Sequence, residues 1–322
     1  MKSLILVLLV SCFSAFSLTA KEVSRVSAQI QGFNGKMVYF DFVEKDGINQ
    51  EFPYMENQEM EFDVELDDIT MMKINAWVVV CLEPGDQIHA KIQYDGRRYT
   101  DVEYTGTPKA VAVGNYLHKV RTLRAERRDN IPALLVLLYD AKEHYTATMQ
   151  EWKDEIALLD EIKDSISGRM YNYLRSEIEA TLLTNLISYP YASSSYHKKA
   201  LEACIADGYW SALDDYRLRD DEASLRNRLY MSFLAQYKEY EQRKAARDKN
   251  EEYKPADSME KEYESIATFY NGTLRDAALF VFLYNQVAAN RDFDTIEKLK
   301  KDYLKRYNKN KEYKKILVQV MK

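Results

Sequence analysis

Ten glycines, six prolines and three cysteines in 322 residues leave several kinds of protein without their material. Ten scattered glycines cannot build a glycine-rich phosphate loop, and no phosphate-loop, HExxH or GxSxG signature occurs. Cys12, Cys81 and Cys204 lie far apart, which excludes both a disulfide framework and a CxxC redox pair. The four histidines, His89, His118, His144 and His197, are also too dispersed to form a zinc motif. No apolar run approaches the ~20 residues that span a bilayer. The formal charge of −6 gives the chain as a whole no attraction for nucleic acid. No metal or cofactor is therefore expected.

What is present belongs to a folded, helix-rich protein: 46% hydrophobic and 30% charged residues, with 25 tyrosines. The tyrosines read as packing material that buries a ring and leaves its hydroxyl in water. Lys2, the apolar run Leu4–Val10 and the small residues after it read as an export signal over 1–20, with cleavage expected after Ala20. A rival processing at Leu9-Val10-Ser11-Cys12 would lipidate Cys12 and tether the chain to a membrane. Cys81 and Cys204 stand in apolar surroundings and read as small buried hydrophobes, the alternative being one bridge between them.

The patterning predicts an α+β chain of two domains. Residues 21–107 form an antiparallel β-sandwich or open barrel, and 108–322 an all-α helical domain with a charged linker at about 243–258. Val26, Ala28 and Ile30, and again Met60, Phe62, Val64 and Leu66, alternate with polar residues as in half-buried strands. Asn34-Gly35, Asp46-Gly47, Pro84-Gly85 and Asp95-Gly96 mark turns, and the apolar run Ile74–Leu82 reads as one central strand. Beyond Pro108, Asp129-Asn130 before Pro132 is a helix start, and Tyr171, Leu174, Ile178, Leu182 and Leu186 form one apolar stripe. Leu225, Leu229, Phe233 and Tyr237 form another. Pro190 is expected to end its helix and open a serine loop.

Chemistry has little to attach to. His89 alternates onto a polar strand face beside Lys91, and His144 reads as a surface helix residue. Asp154-Glu155, Asp160-Glu161 and Asp220-Asp221-Glu222 read as solvated helix faces, since an acid/base pair needs burial to separate its pKa values. Between Lys298 and Lys322 ten lysines or arginines face Asp302 and Glu312 alone, which reads as the solvated face of amphipathic helices; contact with an anionic polymer or an acidic partner is the sharper alternative. Asp257-Ser258-Met259 is similar to Asp-Ser/Thr-apolar O-glycosylation sites of Gram-negative envelope proteins, making Ser258 the candidate for intact-mass measurement.

Gly32 with Gly35-Lys36-Met37-Val38-Tyr39, then Leu82-Glu83-Pro84-Gly85-Asp86, Tyr104-Thr105-Gly106 and Asn115-Tyr116-Leu117, resemble the β-domain of unknown function that precedes TlpA-like or AhpC/TSA-like thioredoxin domains in exported bacterial proteins. Leu186-Ile187-Ser188-Tyr189-Pro190 and Thr273-Leu274-Arg275-Asp276 resemble the helical spacer of those proteins. The resemblance implies a location in the periplasm or at the outer membrane and a partnership with another envelope protein. A thioredoxin domain would begin near Lys322, so the chain holds none of that family's redox cysteines. The expectation is a non-catalytic binding or scaffold module, accessory to a thioredoxin-like system. A helical-repeat adaptor, or an enzyme with an unfamiliar site in the helical domain, are the alternatives.

Overall fold

The computed structural model describes residues 22–43, 46–126, 136–289 and 292–321. The expected export signal with Cys12, and the helix start expected at Asp129-Asn130-Pro132, lie outside the described residues. The chain divides into two compact units, Met1–Thr107 and Pro108–Lys322.

In the first unit, β1 (Glu22–Phe33), β4 (Glu59–Leu66), β7 (Gln87–Gly96) and β8 (Arg98–Gly106) form one sheet in the order β4-β1-β7-β8. A second sheet, β3-β2-β5-β6, is made of β2 (Met37–Phe42), β3 (Gln50–Pro53), β5 (Thr70–Ile74) and β6 (Val78–Leu82). Alternation places Val26, Ala28 and Ile30 at 0% exposure. The sheets face each other through aromatic rings: Phe62 of the first lies 5.1 Å edge-on from Phe40 and 6.0 Å from a stacked Phe52 of the second. The arrangement is an open sandwich. It is not wholly antiparallel, because β1 and β7 pair in parallel. Alternation reports which face a residue occupies and carries no strand direction.

Two glycines meet strict backbone demands. At Gly32, φ is +74° beside an irregularity in the β1–β7 register, and a Cβ there would lie 2.2 Å from the Tyr94 carbonyl oxygen. At Gly106, φ is +138° and a Cβ would lie 2.1 Å from the Gln87 oxygen. The expected central strand Ile74–Leu82 is instead a hairpin junction. Asn75 and Ala76 adopt φ +47° and +63°, the chain reverses, and β6 becomes the edge of its sheet. Without glycine or proline, Asn75, a residue that tolerates positive φ, is the one compositional mark of this turn. The Asn75 backbone and side chain hold it by exchanging hydrogen bonds with the Tyr39 backbone at 2.9 and 3.0 Å.

The second unit contains α1 (Pro108–Glu126), α2 (Ala141–Glu161), α3 (Gly168–His197), α4 (Arg228–Asp248), α5 (Met259–Phe269), α6 (Gly272–Ala288), α7 (Phe293–Arg306) and α8 (Lys311–Val320). Asp140 and Glu143 close a capping box on α2, while Ser167, Asn227 and Ser258 cap α3, α4 and α5. The stripe from Tyr171 to Leu186 is buried as its spacing requires. Pro190 does not end α3, which continues to His197. Burial of Tyr189, Pro190 and Ser193 holds the following turns in place despite the missing N–H. The second expected stripe breaks up: Leu225 precedes the Asn227 cap and Leu229 is half-exposed, because α4 buries Tyr230, Phe233, Leu234 and Lys238 instead. Residues 243–248 are the last turns of α4, and 249–258 connect it to α5.

Many of the tyrosines bury their rings, and several of those hydroxyls are fastened inside the protein. Tyr189, Tyr270 and Tyr313 donate to the backbone oxygens of Tyr139, Leu234 and Leu225 at 2.5–2.6 Å.

An exposed L-residue at φ +63° carries local strain that glycine lacks. Ala76→Gly is expected to raise unfolding free energy by about 0.5–1 kcal/mol, read as a higher urea midpoint at unchanged slope.

Candidate functional site

Helical spacing brings Ala112, Asn115, Tyr116 and Lys119 onto one face of α1. With His118 of α1, and Leu158 and Ile162 at the end of α2, they line an open surface groove of about 390 Å³. Tyr116 is buried, and its phenol is pushed well above the usual range by burial, then by the negative charges of Glu155 and Glu177. It therefore stays protonated and can act as a hydrogen-bond donor but not as a base. Lys119 pairs with Glu161 at 2.8 Å at the rim. Sequence reading found Asn115-Tyr116 only as part of a resemblance. The pairing of α1 with α2 that makes the groove has no local signature.

Further along the same two helices, Arg124 donates through Nε and Nη2 to both carboxylate oxygens of Glu155, at 2.6 and 2.8 Å. Glu155 is 0% exposed, so its reading as part of a solvated face is corrected. An amphipathic face facing a neighbouring helix can bury an acid when a bidentate guanidinium replaces its water. Burial acts to lower the Arg124 pKa, but hydrogen bonding and attraction to Glu155 outweigh it and raise the value. Asp160, Glu161, Asp220 and Glu222 are exposed, as the solvated reading has it, and several of these acids have partners at the surface. Asp160 accepts from Tyr171, Glu161 from Lys119, Asp221 from Ser224, and Glu222 lies near Arg169 and Arg226.

Glu179 on α3 is held by three side chains. Arg219 donates to both its oxygens at 2.6 and 3.0 Å, Arg175 at 2.9 Å and the Tyr216 hydroxyl at 2.8 Å. Burial acts to raise this carboxyl, and the Arg219, Arg175 and Tyr216 contacts outweigh it, leaving the pKa below the usual carboxylate range. Asp276 accepts from the Tyr303 hydroxyl and from the backbone N–H groups of Lys309 and Asn310 at 2.7 and 2.9 Å, tying α6 to the α7–α8 junction. Lys238, 2% exposed, donates to Glu262 and Ser265 of α5.

His144 is not a surface residue. It is 1% exposed, stacks on Tyr189 at 3.9 Å and shares a 2.9 Å hydrogen bond between Nδ1 and the Tyr209 hydroxyl. Its position on α2 faces the core rather than the polar side that its sequence neighbours suggest. His197 meets the Val136 carbonyl oxygen through Nε2 at 3.1 Å. His118 lies at the groove.

On the outer face of the first sheet, strand pairing assembles Ser27, His89 and Glu59. His89 Nδ1 lies 2.9 Å from Ser27 Oγ and 3.0 Å from Glu59 Oε1. The residue types suggest a nucleophile relay, but both contacts fall on one ring nitrogen. A relay needs the base to face nucleophile and acid through opposite nitrogens, so the group is a cross-strand brace. Asp86, close to His89 in sequence, turns elsewhere: it accepts from Glu83 N at 2.7 Å and from the Thr107 hydroxyl at 3.1 Å. Among the described residues no three His, Cys, Asp or Glu side chains converge in a geometry that could hold a metal.

Cys81 and Cys204 are both buried. Ser258 is exposed, and its hydroxyl caps α5 by accepting from Lys261 N at 3.2 Å. In the basic C-terminal stretch, Ile296, Leu299, Tyr303, Tyr313 and Leu317 face inward and Lys298, Lys301, Lys305, Lys314 and Lys315 face solvent. Among the described residues no helix is long and apolar enough to cross a membrane. Compared with known families, curated proteins and solved structures, the chain matches none.

Because Glu179 titrates lower in the folded than in the unfolded chain, its stabilisation is complete above the ordinary carboxylate value of 4.5 and is lost as pH falls through the folded-state value. Glu179→Gln is expected to cost about 2–4 kcal/mol at neutral pH. This is less than for a wholly buried pair because Arg175 is partly screened by water. The deficit relative to wild type should shrink in acid, as read from urea unfolding at several pH values.

Proposed function

We propose that the chain is a non-catalytic, exported cell-envelope protein that acts as a binding or scaffold module, accessory to a separately encoded thioredoxin-like thiol–disulfide system. The observation that carries this reading is the commitment of the buried ionisable groups in the helical unit. Glu155, Glu179, Asp276 and Lys238 are each held by partners from other elements. An acid or base poised for chemistry needs a proton-accepting or proton-donating position left open toward a reactant, whereas these groups spend their hydrogen-bonding capacity joining helices. The burial of both cysteines supports the same reading, since a thiol that exchanges must be reached as a thiolate.

The experiment is thiol-dependent turnover. The purified chain is expected to leave the rate of insulin disulfide reduction by dithiothreitol at background. Cys81 and Cys204 should react with Ellman's reagent only after denaturation. Acceleration of insulin reduction that disappears in Cys204→Ser or Cys81→Ser would overturn the proposal.

A further inference from the structure

Just before α2, a short stretch is pinned at two backbone points to α3. The Val136 carbonyl oxygen lies 3.1 Å from His197 Nε2, and the Tyr139 carbonyl oxygen accepts from the Tyr189 hydroxyl at 2.6 Å. Val136 itself is buried in the helical core at 7% exposure. Between the two pins, Leu137 and Leu138 are left 53% and 50% exposed. Tyr196 is 58% exposed, and its ring stands 5.0 Å from that of His197, which makes the first pin. Lys198 and Lys199 follow directly and are exposed. The pins thus bring the backbone that carries the two half-exposed leucines to the end of α3 that carries exposed Tyr196, Lys198 and Lys199.

Three half-exposed side chains offer on the order of 300 Å² of contact area. A stable protein interface needs roughly 800 Å² from each partner, so the patch is too small to hold a second copy or another protein on its own. Leucines that enter the acyl boundary, a tyrosine at headgroup depth and lysines against lipid phosphates are the combination by which proteins rest on a bilayer without crossing it. We propose that Leu137, Leu138 and Tyr196, flanked by Lys198 and Lys199, form a peripheral docking site for an anionic lipid surface. This site is independent of the proposed accessory role and of any lipid at Cys12.

The test is co-sedimentation of the purified chain with phosphatidylcholine vesicles, with and without phosphatidylglycerol, using variants that share the same N-terminus. The chain is expected to bind the anionic vesicles. Leu137→Glu with Leu138→Glu should weaken binding at least about tenfold, and Lys198→Ser with Lys199→Ser about tenfold at low salt. Should the leucine variant fail to fold, Tyr196→Trp supplies the readout, its emission shifting to the blue on insertion. Absence of binding to anionic vesicles, binding unchanged by these substitutions, or no shift at Trp overturns the proposal. So does a dimer in sedimentation velocity that the leucine substitutions dissolve, which would assign the patch to a second copy.

Discussion

A carboxylate taken out of water remains charged only while other donors replace that water, and this constraint governs the helical unit. Glu179 meets it with two arginines and a tyrosine, Glu155 with one bidentate arginine, and Asp276 with a phenol and two backbone N–H groups. Each set of donors comes at least partly from a different element, so satisfying the charge also fixes how the elements meet. Arg219 belongs to the irregular segment before α4, and its hold on Glu179 fastens that segment to α3. Apolar burial supplies the bulk of the driving force. The ion pairs, by penalising any arrangement that leaves one member unpaired, select among the packings that burial alone would allow.

Tyrosine extends the same logic to neutral groups. Burial pushes the Tyr230 phenol up to about 12, and its oxygen both accepts from Arg219 N and donates to Arg219 O. Tyr303, Tyr263 and Tyr240 donate to Asp276, Asp302 and Asp214. A ring contributes contact area and its hydroxyl fixes a register, so tyrosine serves as filler and fastener together.

The two-part layout was legible from hydrophobic period, since period is a local property. Val26, Ala28 and Ile30 in β1, and Tyr171 to Leu186 in α3, needed no more than that. What was not legible depended on partners distant in sequence. The parallel pairing of β1 with β7 requires knowing which strands meet. The turn at Asn75-Ala76 uses left-handed residues that carry no glycine signal. Glu155 and His144 sit among polar neighbours, and only the helices packed over them make them internal. The groove between α1 and α2 and the patch at Leu137-Leu138 are likewise products of tertiary placement.

If the buried charges serve to fasten helices, their energies must be coupled in pairs. Arg124 and Glu155 allow the most direct measurement, a double-mutant cycle with Arg124→Met and Glu155→Leu followed by urea unfolding. Each single replacement should destabilise by about 2–4 kcal/mol, with the double variant recovering much of the loss through a coupling of about 2 kcal/mol or more. Additive losses, with a double variant as unstable as the sum of the singles, would contradict that role for the pair.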